Sequence, residues 1–331
     1  MATIRDVARA AGVSTATVSR VLNRPHQVRE KTRERVQRVI DQLNYRPDPT
    51  ARRLSMGRTF TVSVGLPFLT RASFVERLRA IEAKLSNSEY DLVVSNVESM
   101  LKRVAYFNGV AHKGRFDGHL IISLHPSDEQ AKAICAAQVP VVLVDTSHPL
   151  LPSVDIDDVA GGRMAAEHLL AKGHRRFGFL GDTQNQELFS ATRERLEGFK
   201  SRLDESGIKF LKENHFKVSY SRREARQVID QILARPAAER PTAIFAAMDT
   251  TALGLLDGLR QHGLRAPDDL AVIGFDDLDV AELYDLTTIR QPLYESGARG
   301  VELLLSILGR DEPAPPEHIL LPLTLVERKT T

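Results

Sequence analysis

Apolar residues near the start of the chain recur at the spacing of one helical face, from Ile4 to Ala11. Thr3 and Asp6 are spaced as a capping box, in which the two residues satisfy each other's backbone donors. Gly12 follows, and glycine readily adopts the positive φ with which many helices end. The pattern predicts a short first helix that stops at Gly12.

Two more short helices are expected directly after this turn. Ser14 is a good N-cap for a helix from Thr15 to Leu22. A third helix is expected from about Glu30 to Leu43, whose apolar positions face one side. Two short helices joined by a tight glycine turn form a helix-turn-helix, and the third helix completes a small core.

From residue 61 onward, short apolar runs alternate with amphipathic stretches, for example the helical stretches Ala160–Ala171 and Arg222–Leu233. This alternation predicts parallel sheets with helices on both faces, and two series of strands predict two Rossmann-like lobes. Ligands of such sheets lie beyond the carboxyl ends of the strands, here between the lobes. The expected strands are Thr61–Leu66, Asp91–Asn96, Gly118–Leu124, Pro140–Asp145, Arg176–Gly181, Pro241–Met248 and Leu270–Phe275.

Charge divides the chain into a basic head and an acidic body. The first 58 residues hold thirteen lysines and arginines against five aspartates and glutamates, a net charge of +8. The other residues hold 32 basic against 38 acidic side chains, a net charge of −6. A basic head indicates a polyanionic partner for that segment alone, although a solvated basic surface would have the same composition.

The composition is that of an ordinary globular protein, with 42% hydrophobic and 27% charged residues in 331. Apolar runs stay well short of the roughly 18 residues of a transmembrane helix, and the first residues lack the apolar core of a signal peptide. We therefore expect a cytoplasmic protein. Cys135 is the single cysteine, which excludes an intramolecular disulfide and a cysteine-rich metal site.

The outward positions of the second helix carry small or polar side chains suited to the major groove of DNA. Arg20 could donate two hydrogen bonds to guanine, and Thr15 and Ala16 could touch base edges. Thr17, Ser19 and Asn23 are better placed for phosphates. A plain three-helix bundle with a polar surface is the alternative.

Residues 47–58 predict one more short helix, which would form only under some conditions. Asp48 can cap and Pro49 suits a first helical turn, so a helix of about seven residues could run to Gly57. A helix this short is unstable alone in water and would form only when something holds it. Unbound, the segment is expected to be a linker.

The stretch from Thr3 to Asn23, TIRDVARAAGVSTATVSRVLN, closely resembles the head of the LacI–GalR family of bacterial regulators. The resemblance continues from Val28 to Pro47 and then through the whole chain. It implies a sequence-specific DNA-binding transcription regulator, usually a repressor, with a periplasmic-binding-protein-like sensor. It also implies a homodimer, or a tetramer built from dimers, on a near-palindromic operator.

The resemblance suggests how the chain is divided. It implies a helix-turn-helix domain at 1–46, a hinge at 47–58 and an effector-binding and dimerisation domain at 59–331. The first lobe is expected at about 59–160 and 292–322, and the second at about 161–291 and 323–331.

The resemblance also implies that paired hinge helices enter the minor groove, where Leu54 would wedge between base pairs. Ala51 allows close approach, Arg52 contacts phosphate, and Ser55 stands where many relatives have a lysine. The DNA-binding candidates are Thr3, Ser14, Thr15, Ala16, Thr17, Ser19, Arg20, Asn23, Ala51, Arg52, Leu54 and Ser55.

Effector candidates follow predicted strands or match family positions. Asp145 and Asp276 end strands, and Arg195 matches the effector-contacting arginine of the family. Asp249 and Asp277 also end strands, but helix capping is the favoured interpretation for both. The effector candidates are Phe68, Phe74, Ser123, Asp145, Arg195, Tyr220, Met248, Asp276 and Gln291. For Tyr220, core packing is an equal alternative to stacking on a ligand.

Two departures leave the identity of the effector open. Met248 stands where relatives often carry an asparagine, and its thioether is only a weak acceptor. Asp157-Asp158 replaces a common Asp-Asn pair. A sugar or sugar derivative is expected, with a purine-type corepressor as the alternative. Whether the effector induces or corepresses, and whether the output is repression or activation, stays open.

Two rival functions are disfavoured by the sequence. A transport solute-binding protein predicts an export signal and no helix-turn-helix. An enzyme predicts a phosphate-binding glycine loop, a zinc-binding HExxH or a nucleophile elbow, none of which the sequence contains. We therefore expect no catalysis, no cofactor and no metal.

Overall fold

The computed structural model describes residues 2–23, 25–45, 58–112, 114–182, 190–310, 312 and 314–331. Contacts between residues divide the chain into two compact units, residues 1–60 and residues 61–331. Each unit has its own hydrophobic core.

The first unit is a helical domain. It contains α1 (Ile4–Ala11), α2 (Thr15–Asn23), a 3₁₀ turn (Pro25–Gln27) and α3 (Glu30–Gln42). The predicted capping box is confirmed, because the Thr3 hydroxyl accepts from the Asp6 N–H and Asp6 Oδ2 accepts from the Thr3 N–H at 2.9 Å.

The turn between α1 and α2 also follows the sequence prediction. Gly12 has φ 61°, and its N–H donates to the last carbonyls of α1. Ser14 Oγ accepts from the Thr17 N–H at 3.2 Å, as expected of an N-cap. Arg29, at the N-cap of α3, makes no side-chain capping bond.

The core of this domain is formed by one face of each helix. One expectation is corrected: Leu43 is 38% exposed, because α3 ends at Gln42 and its last buried residue is Ile40. The buried residues are Val7, Ala8, Ala11, Val18, Val21, Val36, Val39 and Ile40.

The second unit holds two sheets and the helices that cover them. The strands are β1 (Thr61–Leu66), β2 (Asp91–Asn96), β3 (Gly118–Ile122), β4 (Val141–Val144), β5 (Ser153–Asp155), β6 (Phe177–Leu180), β7 (His215–Phe216), β8 (Ala243–Ala246), β9 (Ala271–Asp276), β10 (Thr287–Arg290), β11 (His318–Leu320) and β12 (Thr324–Val326). The helices are α4 (Ala72–Leu85), α5 (Met100–Val110), α6 (Asp128–Ala137), α7 (Asp158–Ala171), α8 (Ala191–Glu205), α9 (Arg222–Leu233), α10 (Asp249–Gln261), α11 (Asp279–Leu283) and α12 (Leu293–Leu308).

Each sheet has six strands among the described residues. The first has the order β11-β5-β4-β3-β1-β2 and is parallel throughout. The second has the order β12-β10-β9-β8-β6-β7, in which only the pair β10–β12 is antiparallel. The chain therefore crosses between the sheets three times: after β5, after β10 and after β11.

The central strands are buried on both faces, as expected where helices cover a parallel sheet. Four predicted strands extend one or two residues past their observed carboxyl ends, and in two of them, β3 and β4, a residue of positive φ lies just past the observed end. These two residues are Ser123 and Asp145, and both leave the extended conformation. Within the described residues, no helix combines the length and the apolar character needed to cross a bilayer.

Glycines allow α7 and α8 to pack closely on each other in the second lobe. A Cβ built on Gly198 would lie 1.9 Å from the Val159 carbonyl oxygen, and one on Gly162 would lie 1.9 Å from the Arg195 carbonyl oxygen. Both obstacles are backbone atoms of the facing helix, so neither can rotate away. This contact also positions Arg195 relative to the start of α7.

We expect Gly198→Ala to destabilise the protein by about 1–3 kcal/mol, because the helices must separate to admit the methyl group. The matched control is Gly109→Ala in α5, where a Cβ meets nothing within 4 Å. That variant should be neutral or up to about 1 kcal/mol more stable, through helix propensity. Urea unfolding of the full chain measures both, and equal effects would contradict the close packing.

Candidate functional site

Several predicted site residues share an unusual backbone conformation. Ser123 follows β3 with φ 55°, Asp145 follows β4 with φ 59°, and Asp276 ends β9 with φ 120°. Tyr220, in the loop before α9, has φ 50°. Residues other than glycine rarely adopt these angles, and such strain is concentrated at functional sites. The strain here coincides with four of the effector candidates.

In the first lobe, the Asp145 carboxylate is held at both oxygens. Arg77 Nη2 donates to Asp145 Oδ1, and Ser123 Oγ donates to Asp145 Oδ2. The side chains of Arg77 and Asp145 are only 2% and 5% exposed. A buried ion pair of this kind requires good geometry and further hydrogen bonds to offset the loss of water.

Gln291 connects this pair to the second lobe. It lies between β10 and α12, at a crossing between the sheets, and its Oε1 accepts from Arg77 Nη2 at 2.8 Å. Its Nε2 donates to Asp276 Oδ1 at the end of β9. A single buried chain of hydrogen bonds therefore joins the strand ends of both sheets, through Ser123, Asp145, Arg77, Gln291 and Asp276.

In the second lobe, Arg195 on α8 occupies the corresponding central position. Its Nε donates to Asp158 Oδ1 at 2.7 Å, and its Nη1 donates to the Ala247 carbonyl at 2.6 Å. The guanidinium carbon lies 3.5 Å from the centre of the Phe275 ring, within cation–π range. The predicted effector arginine is thus buried and oriented on three sides.

Carboxylates dominate the electrostatics between the lobes. Burial, assisted by the negative charge of Asp145, raises the pKa of Asp158 to about 7, despite the opposing effect of Arg195. Burial likewise raises the pKa of Asp276 to about 6, against the effects of Arg195 and Gln291. Burial and Asp145 raise the pKa of Asp155 to about 6. In all three residues burial is the main cause, and neighbouring carboxylates add to it.

Aromatic side chains extend the site toward its apolar end. Phe68 and Tyr220 approach with ring centres 6.0 Å apart, and Phe68 meets Phe74 edge-on at 6.2 Å. The Arg71 guanidinium carbon lies 3.1 Å from the Phe68 ring centre and 3.6 Å from that of Tyr220. Burial lowers the pKa of Arg71 to about 10. Tyr220 therefore contacts the first lobe and is not packed solely in the core of its own lobe.

The side chain of Met248 is not part of the chain of hydrogen bonds that joins the lobes. It is the half-buried N-cap of α10, makes no side-chain capping bond, and its carbonyl accepts from Thr251 Oγ1 at 2.9 Å. It adjoins Ala247, whose carbonyl accepts from Arg195. Its contact with an effector stays a prediction.

The capping interpretation of Asp249 and Asp277 requires correction. Asp249 lies within α10, and its carboxylate accepts from Thr288 Oγ1 at 2.6 Å and from the Leu278 N–H at 2.8 Å. Asp277 forms ion pairs with Arg290 and Arg328. Both residues tie together the strands and loops behind the site, a role that only the tertiary contacts could show.

Two buried partners were missed from the sequence. Arg77 occupies a core-facing position of the amphipathic α4, between Phe74 and Ile81, where a charged residue reads as an interruption of the pattern. Its departure from that pattern was the available signal. Asp158 was noted only as one half of an unusual Asp-Asp pair, and its partner Arg195 lies 37 residues away.

The DNA-binding candidates of the helical domain lie mainly on its surface. Thr15, Ala16 and Arg20 are exposed on α2, whereas Thr17, Ser19 and Asn23 are half-buried. Ser14 Oγ and Thr17 Oγ1 lie 2.9 Å apart, and Asn23 Nδ2 donates to Ser19 Oγ at 3.3 Å.

Thr3 is exposed and bonded within its capping box. The four remaining candidates, Ala51, Arg52, Leu54 and Ser55, lie outside the described residues.

Because the pKa of Asp155 is raised, the variant Asp155→Asn should gain stability relative to the natural protein, and the gain should depend on pH. Its ordinary pKa is 3.8, so between pH 4 and 6 the unfolded chain releases a proton that the folded protein keeps. Rising pH therefore favours unfolding of the natural protein, by about 3 kcal/mol in total. Asparagine can still accept the bond from the Ile156 N–H and has no proton to lose.

We therefore expect Asp155→Asn to gain stability relative to the natural protein as the pH rises from 4.5 to 7.5. Denaturant unfolding at both pH values measures the difference. Asp204→Asn, which alters an exposed carboxyl of α8, is the control and should show no such trend. The same difference at both pH values would show that Asp155 is not a protonated, buried acid.

Two family models match separate parts of the chain. Residues 3–48 match the model of bacterial regulatory proteins of the lacI family, and residues 166–331 match the periplasmic binding protein-like domain. The two matches correspond to the helical domain and to the part of the body that contains the second sheet.

Individual relatives extend the similarity to nearly the whole chain. The HTH-type transcriptional repressor PurR of Photobacterium profundum is 34% identical over 312 residues, which are 92% of this chain and 91% of that one. The lac repressor dimer bound to operator and the anti-inducer ONPF has a TM-score of 0.82 at 32% identity, covering 99% of this chain and 98% of that one. A CelR–cellobiose complex has a TM-score of 0.70 at 29% identity, with both chains fully covered. The chain therefore belongs to the LacI family of bacterial regulatory proteins and is a DNA-binding transcription regulator with an effector-binding domain.

Proposed function

We propose that the chain represses transcription as a homodimer on a near-palindromic operator, and that a small polyhydroxy compound bound between the two lobes controls its affinity for DNA. The buried chain of hydrogen bonds that joins the strand ends of both lobes is the observation that carries this proposal. A ligand that bonds to Asp145, Gln291 or Asp276 must alter contacts that belong to both lobes. Ligand binding is thereby linked to the arrangement of the lobes, as allosteric control requires.

The balance of charge between the lobes defines the class of effector. Five carboxylates lie close enough to influence one another here, whereas only two buried guanidinium groups, those of Arg77 and Arg195, oppose them. An additional anionic group would meet repulsion, whereas hydroxyl or ammonium donors would meet acceptors. We therefore propose a neutral sugar or an amino sugar, and not a sugar phosphate. The carboxylates are Asp145, Asp155, Asp158, Glu194 and Asp276.

The aromatic end of the site favours a second candidate class. A flat guanidinium already lies between the rings of Phe68 and Tyr220. A flat purine base could stack on the same rings if the Arg71 side chain moved aside. The similarity to the PurR repressor extends along most of the chain. A purine corepressor is therefore the second candidate, and purines are among the probes below.

The mode of DNA binding is proposed from the helical domain. Arg20, Thr15 and Ala16 are exposed on one short helix of a confirmed helix-turn-helix, which suits them to base edges in the major groove. The hinge helix with its Leu54 wedge remains part of this proposal, on residues outside those described. We infer further that the protein is not an enzyme and acts in the cytoplasm, where its operator DNA would lie; the regulators among its relatives support both.

We expect Arg20→Ala to weaken binding to preferred DNA by about 1–3 kcal/mol and to relax specificity at one or two base pairs. The preferred duplexes are those that the natural protein selects from a random-sequence pool. Arg9→Ala removes an exposed arginine of α1. It should weaken binding to every duplex by the same factor, and that factor should be smaller than the effect of Arg20→Ala on preferred DNA. Titrations with selected and scrambled duplexes at fixed salt decide between the two. An Arg20 variant with unchanged sequence preference would contradict base contact.

We expect a neutral sugar or an amino sugar to raise the melting temperature of the full chain, whereas the matched sugar phosphate leaves it unchanged. At a ligand concentration of 100 times Kd, stabilisation should approach about 2.7 kcal/mol. The probes are glucose, glucosamine, glucose 6-phosphate, ribose, ribose 5-phosphate, adenine, guanine and hypoxanthine.

The control for this screen is Asp276→Asn, which removes one buried acceptor charge and should abolish the shift. Stabilisation by a phosphate or a purine would show that the proposed effector class is wrong. A shift that survives Asp276→Asn would show that the ligand binds elsewhere.

A further inference from the structure

Arg77 is the most buried cation among the described residues, and the effector proposal gives it no contact with the ligand. It lies on α4, where its side chain is 2% exposed. Its Nε donates to Ser296 Oγ on α12 at 3.1 Å, and its Nη2 donates to both Asp145 and Gln291. A residue that only filled space in the core would not need three hydrogen-bond acceptors from separate segments of the chain.

The backbone around Arg77 is shaped to fit this position. A Cβ built on Gly297 would lie 2.4 Å from the Arg77 carbonyl oxygen, so α4 and α12 approach closely at this point. Ser296, the neighbour of Gly297, accepts from Arg77 and in turn donates to the Leu293 carbonyl at 2.8 Å. The guanidinium is therefore held at a fixed place and orientation.

We propose that Arg77 is a positioning residue that couples the two lobes. It acts at two points: it is the cation paired with the Asp145 carboxylate in the first lobe, and it orients the Gln291 amide toward Asp276 in the second. Because Gln291 presents its oxygen to Arg77, its nitrogen is left to donate to Asp276. Loss of Arg77 would remove the reason for that orientation.

The charges around Asp145 make this role visible in pH dependence. Without Arg77, the Asp145 carboxylate would be buried among further carboxylates without its cation, which opposes folding. Arg77 also opposes the rise in the pKa of Asp276, so its removal would raise that pKa further, and lower pH would relieve the added cost. The charged groups that act on Asp145 are Arg77, Arg195, Asp155, Asp158 and Asp276.

The inference depends on the proposed effector site only for its consequence, namely that Arg77 prepares Asp145 and Gln291 for a ligand. Its test requires no effector, so its failure and the failure of the effector proposal are separate results. All variants are made in the full chain and unfolded by denaturant at one protein concentration, because association affects apparent stability.

The first measurement compares Arg77→Met with Arg79→Met at pH 5 and pH 8. Arg79 lies on the same helix with 60% of its side chain exposed. We expect Arg77→Met to increase the unfolding equilibrium constant about tenfold more at pH 8 than at pH 5. Arg77→Lys should show little of this added pH dependence, because it restores the charge. Arg79→Met should behave alike at both pH values. An Arg77→Met effect that is equal at both pH values would show that Arg77 only fills space.

The second measurement is a double-mutant cycle across the lobes, Arg77→Met with Asp276→Asn. Asparagine removes the charge of Asp276 and tolerates its positive φ. We expect the two changes to be non-additive by about fivefold or more in the unfolding equilibrium constant. The control cycle pairs Arg77→Met with Asp249→Asn, an equally buried carboxylate of the same lobe whose partners are Thr288 and Leu278. That cycle should be additive within about twofold.

Additive effects of Arg77 and Asp276 would overturn the coupling of the lobes. If Arg77→Met does not fold, Arg77→Lys replaces it in the cycle, because lysine cannot reach all three partners of the guanidinium. Gln291→Met then provides the decisive third arm. It breaks the link and should abolish the non-additivity, and a coupling that persists in this background would contradict the proposed path.

Discussion

The burial of two arginine–carboxylate pairs at the junction of the lobes is the constraint on which the rest of the body depends. Arg77 with Asp145, and Arg195 with Asp158, are removed from water almost completely. Such pairs are stable only when every remaining donor and acceptor is satisfied. Those partners are Ser123, Ser296, Gln291 and the Ala247 carbonyl. The strand ends of each lobe must therefore lie at defined positions where the two lobes meet.

The same constraint explains why strain and close packing occur where they do. Asp145 and Asp276 must leave extended geometry to present their carboxylates, and both take positive φ. The close contact of α7 and α8 at Gly198 fixes the helix that carries Arg195. Burial raises the pKa of Asp158 to about 7 and that of Asp276 to about 6, although the charge of Arg195 opposes both shifts.

The helical domain depends on short-range interactions instead. Its capping box, its left-handed Gly12 and the Ser14 cap are each formed within four residues of sequence. This is why the helix-turn-helix could be predicted almost residue by residue, apart from the exposed Leu43 that follows α3. The body, in contrast, is held by contacts between residues that lie far apart in sequence.

The amino-acid sequence by itself determined the helical domain, the alternation of strands and helices, the two-lobed body and the family. It also identified Asp145 and Asp276 as candidates, because parallel strands place their carboxyl ends at a common edge. Arg195, Tyr220 and Gln291 were implied by the resemblance to the family. Only the tertiary structure decided which of these side chains meet, that Asp249 is an internal tie, and that Arg77 joins the site. The physical reason is that partners such as Arg77 and Gln291 lie 214 residues apart in sequence, so no local pattern encodes their contact.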